Sequence, residues 1–305
     1  MKRKHFTYLT GILTGLLLFT SCDEDHLTPS GATDNFFTVP EGLTDEVSEL
    51  RRQFYDKNHL HLIFNDTLSK ESIGKDAFGN DIWKVETVDL NYNLTSNSNK
   101  TINIEYFSDA ASMKSAIALV ERFVLPHIKG GKLQPYSIML VKSIETEDRY
   151  GDMESVYAVN NMRCLAIAAG EWLEAEYEEE RAAMGKDILI TLVSGKFNSN
   201  SEEADPFYEP SKEYYGEYIS DYIPDWNRNK EDIYDFGMLR YSPDWWDDDP
   251  HYDSFILSSS DFSDFFNAVM NQTEEDFTNQ YAGYPIIMEK YHLMKDIITG
   301  LGYIF

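Results

Sequence analysis

Ile188-Leu189-Ile190-Thr191-Leu192-Val193-Ser194-Gly195-Lys196-Phe197-Asn198 is the stretch around which the reading of this chain turns. It closes a segment, Glu174 to Phe197, that reads as largely helical, with an acidic, solvated start and an apolar second half. The acids suit the positive end of a helix dipole. Just upstream, Cys164 to Ala168 is an apolar run that reads as a buried strand, and Val156 to Val159 as another. Helices packed against such strands predict an α+β fold, with a small mixed sheet and a mainly helical C-terminal half.

Further upstream, Thr44 is placed to cap a helix running to about Lys57, with Val47, Leu50 and Phe54 at helical spacing. His59 to Asn65 alternates like a strand. Residues 66–100 are polar and Asn-rich, irregular or a hairpin around Ile82-Trp83. Ile102 to Phe107 reads as a strand. Ser108 caps a helix whose face is Met113, Ala116, Ile117, Val120, Phe123 and Val124, closed by Pro126. Gly130-Gly131 turns the chain into a buried strand, Pro135 to Val141. After Asn198 the sequence is rich in Tyr, Asp and Pro until about Asp253. Helices then return over Asp261–Met270, Glu274–Tyr281 and Pro285–Thr299. There is no internal repeat.

The start of the chain sets its compartment. Lys2, Arg3 and Lys4 precede an apolar run from Tyr8 to Phe19, too short for a comfortable membrane span, and Ser21-Cys22 follows. The reading is a signal peptide over 1–21, lipidation of Cys22, a linker over 22–40, and one domain over 41–305 with a subdomain break near 199. The acidic run Asp23-Glu24-Asp25 resembles the surface-export signal of Bacteroides-type lipoproteins, which implies a surface-exposed outer-membrane lipoprotein. The net charge of −27 argues against nucleic acid and anionic lipid surfaces as partners. The chain has two cysteines. With Cys22 lipidated, Cys164 has no partner, so an internal disulfide and a Cys-based zinc site are excluded. Cys164 reads as a core thiol.

A family resemblance rests on the order of several landmarks. Glu121-Arg122-Phe123-Val124-Leu125-Pro126-His127-Ile128 and Leu133 to Val141 precede the Ile188–Asn198 helix, and Asp261-Phe262-Ser263-Asp264 and a terminal Gly300-Leu301-Gly302-Tyr303-Ile304 follow it. The order resembles the zinc-binding metallopeptidase lipoproteins of Bacteroides-type bacteria, also described as substrate-import-associated zinc metallohydrolases, loosely from Glu46 to the C-terminus. In that family an H-E-x-x-H helix sets two histidines four apart on one face to bind zinc, and its Glu polarises the bound water. Carried over, those positions read Ser194, Gly195 and Asn198, and the family's later acidic motif becomes Asp261 and Asp264. The resemblance thus implies a degenerate member with its zinc lost and no cofactor. Asp261 and Asp264 also suit a helix N-terminus without any metal.

Chemistry elsewhere has few candidates. None of the seven histidines forms an i, i+4 pair. His59 and His61, two apart, would share a strand face and are the residual metal candidate, although polar residues on a half-exposed strand read the same way. His127, near a helix end, reads as a group that satisfies carbonyls. The acidic loop Asp244 to Asp253 could hold calcium but lacks EF-hand spacing. Tyr214, Tyr218 and Tyr222 would stack on one helix face near Trp226, with Trp245 and Trp246 beyond. Such rings form packed faces first and ligand contacts second. The expected function is a non-catalytic accessory lipoprotein beside an outer-membrane import complex, binding a nutrient, a peptide or a partner. The alternatives are an active hydrolase with a non-standard metal site, and a surface glycan-binding lipoprotein.

Overall fold

Apolar runs and caps place the elements. In the computed structural model, which describes residues 35–91, 100–128, 130–246 and 248–305, helix α1 (Glu46–Asn58) begins one residue later than expected. Its cap is Asp45, whose carboxylate accepts from Ser48 N at 2.9 Å. The signal segment, Cys22 and most of the linker lie outside the described residues. Phe37, inside the expected linker, is buried at 4% exposure.

Strand β1 (His61–Ile63) leads into a long hairpin, β2 (Thr67–Lys75) and β3 (Asp81–Thr87), and then β4 (Ile102–Glu105). Helix α2 (Ala110–Phe123) follows, capped by Asp109 and burying Met113, Ala116 and Val120. Next come β5 (Ser137–Val141), β6 (Ser143–Glu147), β7 (Met153–Ser155), β8 (Ala158–Asn160) and β9 (Leu165–Ala168). The expected helix over Glu174–Phe197 is the shorter α4 (Glu178–Ser194), and a separate short helix that was not expected, α3 (Gly170–Glu174), precedes it. The break is pinned by hydrogen bonds. The buried Trp172 indole donates to Arg181 O at 2.9 Å, and Arg181 Nη2 donates to Ala175 O at 2.7 Å.

The main sheet has the order β1-β5-β9-β8, with β1, β5 and β9 parallel and β8 antiparallel at the edge. Strand β5 is buried along its whole length, because parallel strands covered on both faces must be apolar on both. Ile138, Leu140, Leu165 and Ile167 face a core with Val120, Trp172, Ile188 and Leu192. Met139, Val141, Cys164 and Ala166 face a second core with Phe37, Val88, Leu90 and Ile144, beside the antiparallel sheet β4-β6-β7. Burial pushes the Cys164 thiol up to about 12, so it is an inert core thiol.

Beyond α4 come a one-turn helix α5 (Asp205–Tyr208), the two-residue strands β10 (Tyr241–Ser242) and β11 (Ser254–Phe255), and helices α6 (Ser258–Asn271), α7 (Glu274–Tyr281) and α8 (Pro285–Gly300). Thr273 caps α7, accepting from Asp276 N at 3.1 Å. Phe265, Phe277, Tyr291, Met294 and Ile298 share the core of Val193 and Ile188, so residues on both sides of position 199 enter one core. Phe37–Phe305 is one compact unit, and the architecture is α+β.

Candidate functional site

The C-terminal end of α4 carries the positions singled out by the family resemblance. The helix stops at Ser194, whose hydroxyl donates back to Thr191 O at 3.1 Å, and Gly195 is its C-cap. Asn198 lies past the helix in a turn, its side-chain oxygen accepting from Asn200 N at 3.0 Å. Ser194 and Asn198 are therefore not an i, i+4 pair on one helix face, contrary to the expectation of a helix through Phe197. Gly195 sits against the edge strand: a Cβ there would stand 2.5 Å from Asn160 Nδ2. A side chain at 195 would require Asn160 to move.

Asn198 opens on a cleft of about 490 Å³. Phe197, Phe207, Leu293 and Ile297 give it an apolar lining, and Lys132, Lys196, Glu203 and Asp296 bring charge. Lys132 and Glu203 pair at 3.4 Å. Lys196 and Asp296 are in no ion pair among the described residues. The cleft thus offers one unengaged cation and one unengaged anion beside apolar walls.

Asp261 and Asp264 stand in the first turns of α6 but are engaged away from the α4 end. Asp261 is fully buried. Its Oδ2 accepts from Tyr215 OH at 2.6 Å and from the buried Lys290 ammonium. Lys290 also donates to Gly237 O at 2.8 Å and Ser211 Oγ at 3.1 Å, and it lies 4.8 Å from the Phe207 ring and 4.9 Å from that of Phe265. Gly237 closes this cradle at φ 74°, where a Cβ would also come 2.8 Å from Ser211 Oγ, so the position suits only glycine. Burial pushes the Asp261 carboxyl up and the Lys290 amine down, and each partner's charge opposes that. Among the described residues, Asp261 Oδ1 has no hydrogen-bond partner. Asp264 pairs with Arg240 at 2.7 Å, and burial raises its carboxyl too.

His59 and His61 do not share a strand face. His59 is the left-handed cap of α1, at φ 55°, and only His61 belongs to β1. The imidazole of His61 stacks on Tyr55 with centroids 4.8 Å apart, and burial, then the Arg51 charge, lowers its basicity. The expected tyrosine helix is absent. Short 3₁₀ turns run through this region, and Tyr214 meets Tyr222 edge-on at 5.2 Å beside Phe236 and Phe255. Tyr218 instead meets Tyr252. Trp226 is buried, whereas Trp245 and Trp246 are 86% and 94% exposed. The Asp244–Asp253 loop is tied from beneath by Asp253, itself fully buried. Asp253 accepts from Trp226 Nε1 (2.9 Å), Arg228 Nε (2.9 Å) and Nη2 (3.0 Å), and Asp244 N (2.9 Å).

Among the described residues, no three His, Cys, Asp or Glu side chains form a metal-holding group, and no helix is long and apolar enough to cross a membrane. Sequence reasoning missed Lys290 and Arg228. Lys290 sits in an apolar helix pattern, where a lysine reads as a surface residue. The one available signal was that Ile287, Lys290, Tyr291 and Met294 share the i, i+3, i+4, i+7 spacing of a buried face. No protein-family model, curated protein or solved structure matches this chain.

Proposed function

We propose that the chain is a non-catalytic surface lipoprotein, anchored through Cys22 to the outer membrane, that captures short peptides beside an import complex. The observation that carries the reading is the cleft at Asn198. The stretch where the resemblance would put metal ligands lacks imidazoles, yet it borders a roomy apolar cleft with Lys196 and Asp296 unengaged. Such a site suits a zwitterion with an apolar body: Lys196 for a terminal carboxylate, Asp296 for a terminal ammonium, and Phe197, Leu293 and Ile297 for side chains. No zinc belongs to this reading.

Calorimetric titration with hydrophobic tripeptides tests it. Free tripeptides bind, and N-acetylated, C-amidated versions bind about tenfold more weakly or worse, since a lost charged contact is worth about 1.4 kcal/mol or more. Lys196→Glu abolishes the preference. Equal binding of blocked and free peptides, or near-stoichiometric zinc after metal-replete purification together with peptide hydrolysis, defeats the proposal. A second reading, glycan capture, is favoured by the exposure of Trp245 and Trp246 alone. Loss of polysaccharide retention in affinity electrophoresis on Trp245→Ala/Trp246→Ala would support it.

A further inference from the structure

A second cleft, of about 450 Å³, lies between α2, α4, α8 and the α6–α7 junction. Its size falls within the range of roughly 300–1,000 Å³ typical of small-molecule sites. Leu189, Val269, Met270 and Tyr291 lie beneath it at 2–3% exposure, and the surface the cleft offers comes from Phe123, His127, Ala182 and Phe305. One wall is rigid: the His127 ring stacks on Tyr303 at 5.8 Å, and its Nδ1 donates to Ile304 O at 2.8 Å.

The charge at this cleft runs against the rest of the chain. The sequence has 53 acidic and 26 basic side chains, so a lysine finds a carboxylate easily. Two lysines line the cleft. Lys295 is paired with Glu274, which neutralises it. Lys186 has no ion-pair or hydrogen-bond partner among the described residues. It follows Ala182 by four positions and precedes Leu189 by three, so all three share the face of α4 that lines the cleft. The balance is an open, largely apolar cleft with one unneutralised cation at its side.

The geometry points to a binding site for an amphipathic monoanion, a carboxylate with a medium-length apolar chain or ring. The body lies against Phe123, Ala182 and Phe305, over the buried Leu189, Val269, Met270 and Tyr291, and the carboxylate meets Lys186. A dianion would find only one unpaired cation, Lys186, for its two charges, and an amphipathic cation would face Lys186. The site does not depend on the cleft at Asn198, which lies elsewhere on α8 and has a different lining.

Titration calorimetry of the whole chain with decanoate tests this, with decanol and decyltrimethylammonium as probes of the same chain length. Decanoate binds at one saturable site and about tenfold or more tighter than either analogue, the size of one unscreened charged contact. Lys186→Glu removes that preference. Ala182→Trp, at an exposed position on the cleft wall, blocks entry without touching the core, and circular dichroism confirms that both variants fold. Lys196→Glu leaves decanoate binding unchanged, which separates this site from the peptide cleft. Equal affinity for all three probes, or decanoate binding that survives both Lys186→Glu and Ala182→Trp, overturns the assignment.

Discussion

Two buried aspartates, eight positions apart, make opposite use of burial. Asp253 and Asp261 are both fully inaccessible. Asp253 has both oxygens saturated, Oδ1 by Arg228 Nη2 and Asp244 N, Oδ2 by Arg228 Nε and Trp226 Nε1. Burial alone would raise its carboxyl, but these donors together hold it below its ordinary value. Asp261 receives all its donors on one oxygen and leaves the other bare, and burial keeps its carboxyl raised. Depth does not decide whether a buried charge is comfortable; the number of its lone pairs that find donors does.

The largest effect tests the less satisfied site. Lys290→Met leaves Asp261 buried beside aromatic rings with its counter-charge gone, and should cost about 3–5 kcal/mol in urea unfolding. Adding Asp261→Asn, which removes the stranded charge and still accepts from Tyr215, should recover a substantial part of that loss. A double variant as unstable as the sum of the singles would mean that the two groups do not act as a pair. At the saturated site, Asp253→Asn keeps the shape but loses the charge against Arg228, and should cost about 1–3 kcal/mol. A larger loss here than at Lys290 would invert the comparison.

Acid titration separates the sites by sign. The Asp253 carboxyl is lowered on folding, so its stabilisation is fully present above its ordinary value of 3.8 and is lost as the pH falls through the lowered folded value. The Asp261 carboxyl is raised, so the folded state takes up its proton first, and stability from this group declines as the pH rises from 3.8 towards the raised folded value. Asp253→Asn should therefore flatten the acid limb of a stability–pH profile below about pH 4, the range of an ordinary aspartate. A limb parallel to that of the unaltered chain would show that Asp253 is not held low.

Much of the sheet-and-helix half was legible because its rules are local. Buried β5 and β9 had to be apolar on both faces, and α2 showed its core stripe as Met113, Ala116 and Val120. The half-buried β6, with Ile144 alone in the core, and the exposed β7 carry little apolar pattern and are not legible in the sequence. The candidate site was legible only in part. Asn198 does border a cleft, but α4 ends at Ser194 with Gly195 as its C-cap, and Gly195 lies close against Asn160 of the edge strand, a neighbour far away in the chain that local periodicity does not reveal. Periodicity misled at Tyr214, Tyr218 and Tyr222: the spacing fits a helix, yet the segment folds through 3₁₀ turns around Phe255, a residue that arrives from another strand. Lys290, Asp261, Ser211 and Gly237 come from four separate segments, so no window of sequence contains the cradle.

The smallest expected effect divides the tryptophans of the Asp253 region. Trp226 is buried, its indole N–H is one of the four donors on Asp253, and its ring meets Tyr241 edge-on at 5.2 Å. Trp226→Phe keeps much of the ring but removes that donor, and should cost about 1 kcal/mol, the net worth of one hydrogen bond. Trp245 and Trp246 stand almost free in solvent, so replacing both by Ala should change stability by no more than about 0.5 kcal/mol. If that double variant were instead destabilised as much as Trp226→Phe, the exposed rings would be holding the loop, and Asp253 would not be sufficient to fix it. If Trp226→Phe were neutral, three donors would satisfy Asp253 as well as four, and the contrast with Asp261 would rest on which oxygen is served rather than on how many donors arrive.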